Sequence, residues 1–279
     1  MARILVISSY VVQGHVGLAA IVPTLQAMGH DVLAVPSVVL SSHNGYPQVG
    51  GIWFEAGQIR RVTDGLAANG WLKSIDAMMT GYLPSAALVG DVEKIVREVR
   101  KQSPEHLYHC DPVIGDDPRG LYVAEEVAVA VRDRLLPLAD ILTPNRFELE
   151  WLSGQSIRSA LDADLAAAAL AADLVVATSV PAGRKRIANV FSGEDSAGQT
   201  IIPREDFAPH GTGDLFAALL IGHMLGDVDH AEAVARASAG VRLVIEASKG
   251  SRELRLIDNL DEAVAADRED LHPLGGDKP

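Results

Sequence analysis

The feature of this chain that most constrains its fold is an alternation. A short apolar run, a polar or glycine-bearing elbow and a longer stretch of helical periodicity follow one another repeatedly. Residues 3–8, 31–35, 75–79, 106–110, 139–142 and 174–177 read as buried strands, because apolar runs this short, bounded by turn residues, cannot complete a buried helix. Between them one helical stretch ends at Gly29, another covers 58–68, and Ser85 caps an amphipathic third that runs to Arg100. Strands that alternate with helices build an α/β fold, a central, mostly parallel sheet with helices on both faces, and such sheets bind ligands at the carboxyl ends of their strands. Residues 187–191 and 200–202 are expected to add an antiparallel edge, and two helices over 215–247 close the fold. Residues 36–57 break the rhythm and read as an excursion from the sheet, a candidate flap. No repeat or linker divides the chain, which predicts one domain over 1–265 and a polar tail, 266–279, that frays.

Composition narrows the function classes. Hydrophobic residues make up 48% of 279 positions, ample for a packed core, and the formal net charge is -13. A surface that acidic is unsuited to nucleic acid or to anionic membranes. The basic cluster Arg184-Lys185-Arg186 follows Pro181-Ala-Gly183 and is expected to cap a solvated hairpin. Cys110 is the only cysteine, so the chain has no internal disulfide, and a reducing, cytoplasmic setting is the expected home. The apolar run 4–7 is too short for a signal peptide or a membrane span.

The strongest local signal is His210-Gly-Thr-Gly-Asp214, which leads into an apolar helix. Gly211 and Gly213 permit a tight turn whose N–H groups, with Thr212 between them, converge with the positive end of the helix dipole. That is an anion hole with one carboxylate, Asp214, at its rim. Asp is also a favoured helix cap, so an ordinary N-cap is the competing account of Asp214. Helical residues from Leu215 onward are apolar nearly all round, which places the turn at the mouth of a buried core.

Polar residues collect at the other strand ends. Thr143-Pro-Asn145 with Glu148 three positions on can face one site if a helix begins there, and the same spacing also makes a plain capping box. Asp111 and Asp116 bracket a Pro- and Gly-containing loop; their oxygens suit magnesium, and a simple turn explains them as well. Thr178-Ser179 ends another strand. A P-loop sequence is absent, so any phosphate cradle here is of a different kind.

Taken together these motifs resemble the ribokinase superfamily, and within it the pyridoxal kinases. The segments that carry the likeness are Ser9-Tyr-Val-Val-Gln-Gly-His-Val-Gly17, Ser41-Ser-His-Asn-Gly-Tyr46, Cys110-Asp-Pro-Val-Ile-Gly-Asp116, Thr143-Pro-Asn-Arg-Phe-Glu148 and the glycine turn, spread over most of the chain. The resemblance implies phosphorylation of the hydroxymethyl group of pyridoxal by ATP, with pyridoxine and pyridoxamine as further candidates. It makes Asp214 the base and the 211–213 turn the phosphoryl cradle. It puts Ser9, Val16, His43, Asn44 and Tyr82 around the vitamin, and Asp111, Tyr122, Glu148, Thr178, Ser179, Thr212 and Gly213 around the nucleotide. Asp111, Asp116, Asn145 and Glu148 would organise Mg2+, with room for a monovalent cation such as K+, and the assembly would be a homodimer. Leu40, Asn44 and His210 depart from the residues common in that family, which leaves the preferred vitamer open. A hydroxymethylpyrimidine kinase is the nearest alternative, although such enzymes commonly carry Cys at the position of Asp214. A dinucleotide-dependent oxidoreductase would need a G-x-G-x-x-G loop that residues 8–17 do not supply. A non-catalytic vitamin-binding protein would have no use for the intact turn and its Asp.

Overall fold

The structure, a computed structural model, describes residues 1–194, 196–205, 209–226 and 228–275. The chain opens with β1 (Arg3–Val11), α1 (Leu18–Ala27), β2 (Asp31–Leu40), β3 (Gly51–Trp53) and α2 (Gln58–Ala68). Next come β4 (Ala77–Thr80), α3 (Ala86–Gln102), β5 (Leu107–Cys110), the small hairpin β6 (Gly115–Asp116) and β7 (Gly120–Leu121), and α4 (Glu125–Ala130). β8 (Ile141–Leu142), α5 (Arg146–Ser153) and α6 (Ala160–Ala167) lead to three long strands, β9 (Leu174–Pro181), β10 (Arg186–Gly193) and β11 (Ala197–Pro203). α7 (Thr212–Met224), α8 (His230–Ala247), α9 (Leu260–Val264) and β12 (Leu271–His272) complete it.

The central sheet runs β12-β11-β10-β9-β8-β5-β4-β1-β2-β3. From β9 to β2 the strands are parallel, as expected of strands joined through helices. Antiparallel strands extend both edges. Alternation along each strand feeds two cores. Leu5, Ile7 and Met78 pack with α2, α3 and α4 on one face, while Ile4, Val6 and Met79 pack with α1, α7, α8 and α9 on the other. α7 is buried continuously from Leu215 to His223, in keeping with its all-round apolar sequence. The Ser85 hydroxyl accepts the N–H of Leu88, so the predicted cap of α3 is real.

Three expectations need correcting. The first two strands outlast their apolar cores: β1 continues to Val11 and β2 to Leu40, so the excursion begins at residue 41 rather than 36. Pro36 inside β2 concealed this, since proline removes a ladder donor; the ladder absorbs it with a register shift, Ser8 opposite Pro36 and Ser9 opposite Val38. The excursion then returns as β3, antiparallel to β2. The tail does not fray throughout, because β12 pairs with β11 and Arg242 holds Glu269; its last positions, 276–279, lie outside the described residues. Among the described residues no helix is long and apolar enough to cross a membrane.

Candidate active site

Every residue singled out from the sequence lines one cavity of about 550 Å3 along the carboxyl ends of the parallel strands. It runs from Ser9, Val16, His43, Asn44 and Tyr82 on the β1–β2 side, past Asp214, Asp111 and Glu148, to Thr178 and Ser179 in β9. The Val11 and Leu40 side chains, packed with Val38 and flanked by Val16 and Tyr82, give the first end an apolar wall.

The glycine turn takes the shape its sequence demands, with a division of labour the sequence hid. Gly211 is the N-cap of α7 at φ 101, a region that favours glycine, and a Cβ there would meet the His15 carbonyl oxygen at 1.9 Å. Gly213 lies within the first helical turn, and a Cβ there would meet nothing within 4 Å. Asp214 is therefore not the N-cap. It sits three residues further on, its carboxylate receives the backbone N–H of Gly17, and loss of water raises its pKa to about 6 despite that bond. Thr212 and Gly213 are the first residues of the helix, so their N–H groups have no acceptor within it and face the cavity rim.

Glu148 behaves differently. Its Oε1 accepts the N–H groups of Ile114 at 2.8 Å and Gly115 at 3.3 Å, and its Oε2 accepts that of Asn145 at 2.9 Å. Asn145 in turn caps α5 by accepting the Glu148 N–H at 3.0 Å, and donates through Nδ2 to the Gly115 carbonyl at 2.7 Å. The capping box is present, and it also ties the strand-end elbow to the β6–β7 hairpin. Burial pushes the Glu148 carboxyl up to about 7 against these bonds. Asp111 is raised by loss of water, then by the charges of Glu148 and Asp214, with the Thr143 hydroxyl opposing the shift. Tyr122 is raised by loss of water and then by the same carboxylates, so its phenol stays a donor. In β9 the ladder with β10 slips between Ala188 and Val190, and Ser179 takes φ 61, a bulge that turns Thr178 and Ser179 to the cavity.

Comparison with known proteins decides the family. The model of the phosphomethylpyrimidine kinase family matches residues 53–254. A pyridoxal kinase of Corynebacterium diphtheriae is 38% identical over 95% of this chain and 96% of its own length, and one of Ovis aries is 36% identical over 78% and 76%. The chain belongs to the pyridoxal kinase family. A solved structure of the family from Leishmania donovani, pyridoxal kinase in complex with ADP and pyridoxamine, superposes with TM-score 0.92 at 31% identity, covering 98% of this chain and all (100%) of that one. The fold is accordingly the ribokinase-like one expected.

Within this pyridoxal kinase scaffold the donor set fits a hard cation that works with phosphate. Asp116 Oδ1 is buried without a hydrogen-bond partner among the described residues, and Asp111, Glu148 and Asp214 crowd negative charge together. No group of three or more His, Cys, Asp and Glu among the described residues could hold an ion alone. Mg2+ needs no such cage, since it keeps waters and draws on phosphate oxygens with one or two carboxylates.

Sequence reasoning missed several residues of the cavity. Arg119, exposed on the hairpin, and Arg146, paired with Asp117 and Glu150, both line it; Arg119 stands in no motif, and Arg146 falls between Asn145 and Glu148 at a position to which the motif gives no role. Thr143, buried and 2.9 Å from His109 Nε2, was visible only as part of its elbow. Tyr46 and Glu253, which lie beside the cavity and not in its lining, are hydrogen-bonded to each other but far apart in sequence, and no spacing rule connects them.

Proposed function

We infer that this chain transfers the γ-phosphoryl group of ATP to the hydroxymethyl oxygen of pyridoxal, with pyridoxine and pyridoxamine as further substrates. The observation that carries the reading is the continuity of the cavity, one space lined by the His43 end, by Asp214 and the glycine turn, and by the Thr178–Ser179 end. The relatives described as pyridoxal kinases, and the Leishmania kinase holding ADP and pyridoxamine together, support it.

The chemistry follows from the groups present. Asp214, ionised at neutral pH and already desolvated, takes the proton of the hydroxymethyl group. The freed oxygen forms its bond to the γ-phosphorus as the bond to the bridging oxygen breaks and ADP departs. Charge on the transferring group meets the N–H groups of Gly211, Thr212 and Gly213. Mg2+, when bound, neutralises phosphate charge there, and Asp111 and Asp116 are the residues that would hold it, while Glu148 and Asn145 fix the loop that presents Asp116. Ser9, His43, Asn44 and Tyr82 orient the ring against Val16. Tyr122 covers the phosphates, and Ile187, Ile202 and Ile245 wall the far end as a flat purine requires.

The decisive experiment is a coupled ATP assay on pyridoxal, pyridoxine, pyridoxamine and hydroxymethylpyrimidine. We expect turnover with the vitamers; turnover confined to hydroxymethylpyrimidine would replace this reading with the pyrimidine kinase one. The same assay, with Mg2+ titrated and K+ exchanged for Na+, tests the proposed ions. We also propose a homodimer, supported by the family likeness and by Ile52 and Trp53 exposed on edge strand β3; a monomer in light scattering at micromolar concentration would refute it. A cytoplasmic setting is proposed from the single, buried, unpaired Cys110.

A further inference from the structure

Glu253, in the segment after α8, takes no part in the scheme above. Its side chain is only 20% exposed, and its carboxylate accepts the Tyr46 hydroxyl and lies 3.4 Å from His43 Nε2. The neighbouring Arg252 sets its guanidinium 4.7 Å from the centroid of the Tyr46 ring. His43 Nδ1 accepts the Gly45 N–H at 3.0 Å, which leaves the proton of a neutral imidazole on Nε2, the nitrogen that faces Glu253.

The same segment grips a second loop. Glu253 Oε2 fills the space beside Gly14, where a Cβ would fall 2.3 Å from it, and the Leu254 carbonyl lies 3.0 Å from His15 Nδ1. Both loops then reach the reactive turn. The His43 ring packs tilted, at 42°, against that of His210 with centroids 4.3 Å apart, the His15 carbonyl closes over Gly211, and the Gly17 N–H is held by Asp214.

We propose that Glu253 is a positioning residue that fastens loop 41–48, through Tyr46 and His43, to the loop behind the glycine turn and thereby sets the affinity for the vitamin. The use of the clasp rests on the pyridoxal reading above; its existence does not. A clasp on the vitamin side has no reason to affect ATP, which the cavity takes up at its other end.

The test uses Glu253→Ala, Glu253→Gln and Tyr46→Phe in the full chain. Glu253→Ala should raise the KM for pyridoxal about tenfold or more, with kcat and the KM for ATP within about twofold, as expected for the lost hydrogen bond from Tyr46 to a charged group. Glu253→Gln, which can still accept the Tyr46 hydroxyl, should recover most of the loss. Tyr46→Phe should raise KM by less, and should add little in the Glu253→Ala background. In ligand-free protein, amide hydrogen exchange over 43–46 should accelerate about tenfold in Glu253→Ala. Unchanged loop exchange overturns the clasp, and the same measurement on Tyr46→Phe decides the point should Glu253→Ala fail to fold. Unchanged pyridoxal KM, or pyridoxal and ATP KM rising together with a lower melting temperature, overturns its role in affinity. If the parent protein does not phosphorylate pyridoxal at all, the functional reading falls, and the exchange measurement still decides the clasp.

Discussion

The glycine turn and the strand-end elbow each offer the cavity a desolvated carboxylate, and they use it in opposite ways. Glu148 commits both oxygens to three backbone N–H groups and so serves as a scaffold for the loop bearing Asp116. Asp214 has one such bond, from Gly17, and keeps the rest of its acceptor capacity, as the base proposed above requires. Both pKa values are raised, to about 7 and about 6, for the same first cause, loss of water. A raised pKa alone would therefore have ranked them alike. What separates a reactive acid from a structural one is how many of its lone pairs the fold has already claimed.

The sharpest way to break that contrast is Asp214→Asn. It should cut turnover of pyridoxal by about two to four orders of magnitude, the range for a lost general base, with the fold and ATP binding nearly intact. Single-turnover kinetics showing more than about a tenth of parental activity would end the assignment of Asp214 as base.

Next in size is a pair within the turn itself. Gly211→Ala forces a left-handed backbone and a clash with the His15 carbonyl, so it should cost at least about 1 to 3 kcal/mol in denaturant unfolding and most of the activity. Gly213→Ala should leave stability within about 0.5 kcal/mol, since its Cβ meets no protein atom, and any loss of rate would report crowding of the phosphoryl group. Equal destabilisation by the two would contradict the division of labour seen in the turn.

Glu148→Gln should invert the Asp214→Asn pattern. The amide nitrogen would oppose a backbone N–H, at a cost of about 1 to 3 kcal/mol in stability, and the loosened Asp116 loop should shift the magnesium dependence of the rate to higher concentration. A stable variant with an unchanged magnesium titration would show that the elbow does not organise the ion.

The smallest effect is a matter of pH. Because folding raises the Asp214 pKa above its ordinary value, the folded state favours the protonated acid. Its contribution to stability is present at low pH and is lost as pH rises through about 6. Asp214→Asn cannot titrate there, so its stability relative to the parent should improve between about pH 4 and about pH 7, across the span from the ordinary carboxylate pKa to the raised one. Activity should run the other way, with kcat/KM of the parent falling as pH drops below about 6, where the base is protonated. A flat stability difference between the two proteins would mean that Asp214 is better solvated than its surroundings imply.

Much of this was legible in the sequence, and the boundary is instructive. The parallel sheet, the two terminal helices and the glycine turn follow from local periodicity and turn chemistry, which act over a few residues. The strand-end motifs fall in one cavity because the fold class itself brings strand ends together. Pro36 hid the second half of β2, since a ladder can pass a proline only by slipping, and slippage is a property of the pair rather than of one strand. Glu253 was invisible for a related reason: its partners Tyr46 and His43 lie over two hundred residues earlier, and only the assembled fold makes them neighbours. The split between capping and metal organisation at Asn145 and Glu148 could not be drawn from spacing, because one geometry serves both.

The slip between β1 and β2 has a further meaning. Along β2, Leu33 and Val35 point to one core, and without the shift the same parity would carry on to Ser37 and Val39; instead Val38 and Leu40 turn to the apolar patch beside the cavity, level with Val11. The extra residue acts like an inserted beat that changes the phase of the strand just before the chain leaves for loop 41–48. Everything the loop carries, His43 and Asn44 included, inherits that phase. A deletion of one residue near Ser37 would leave the composition of the loop intact and restart it half a pleat out of step. The address of these cavity-lining side chains is thus written upstream of them, in the parity of a strand.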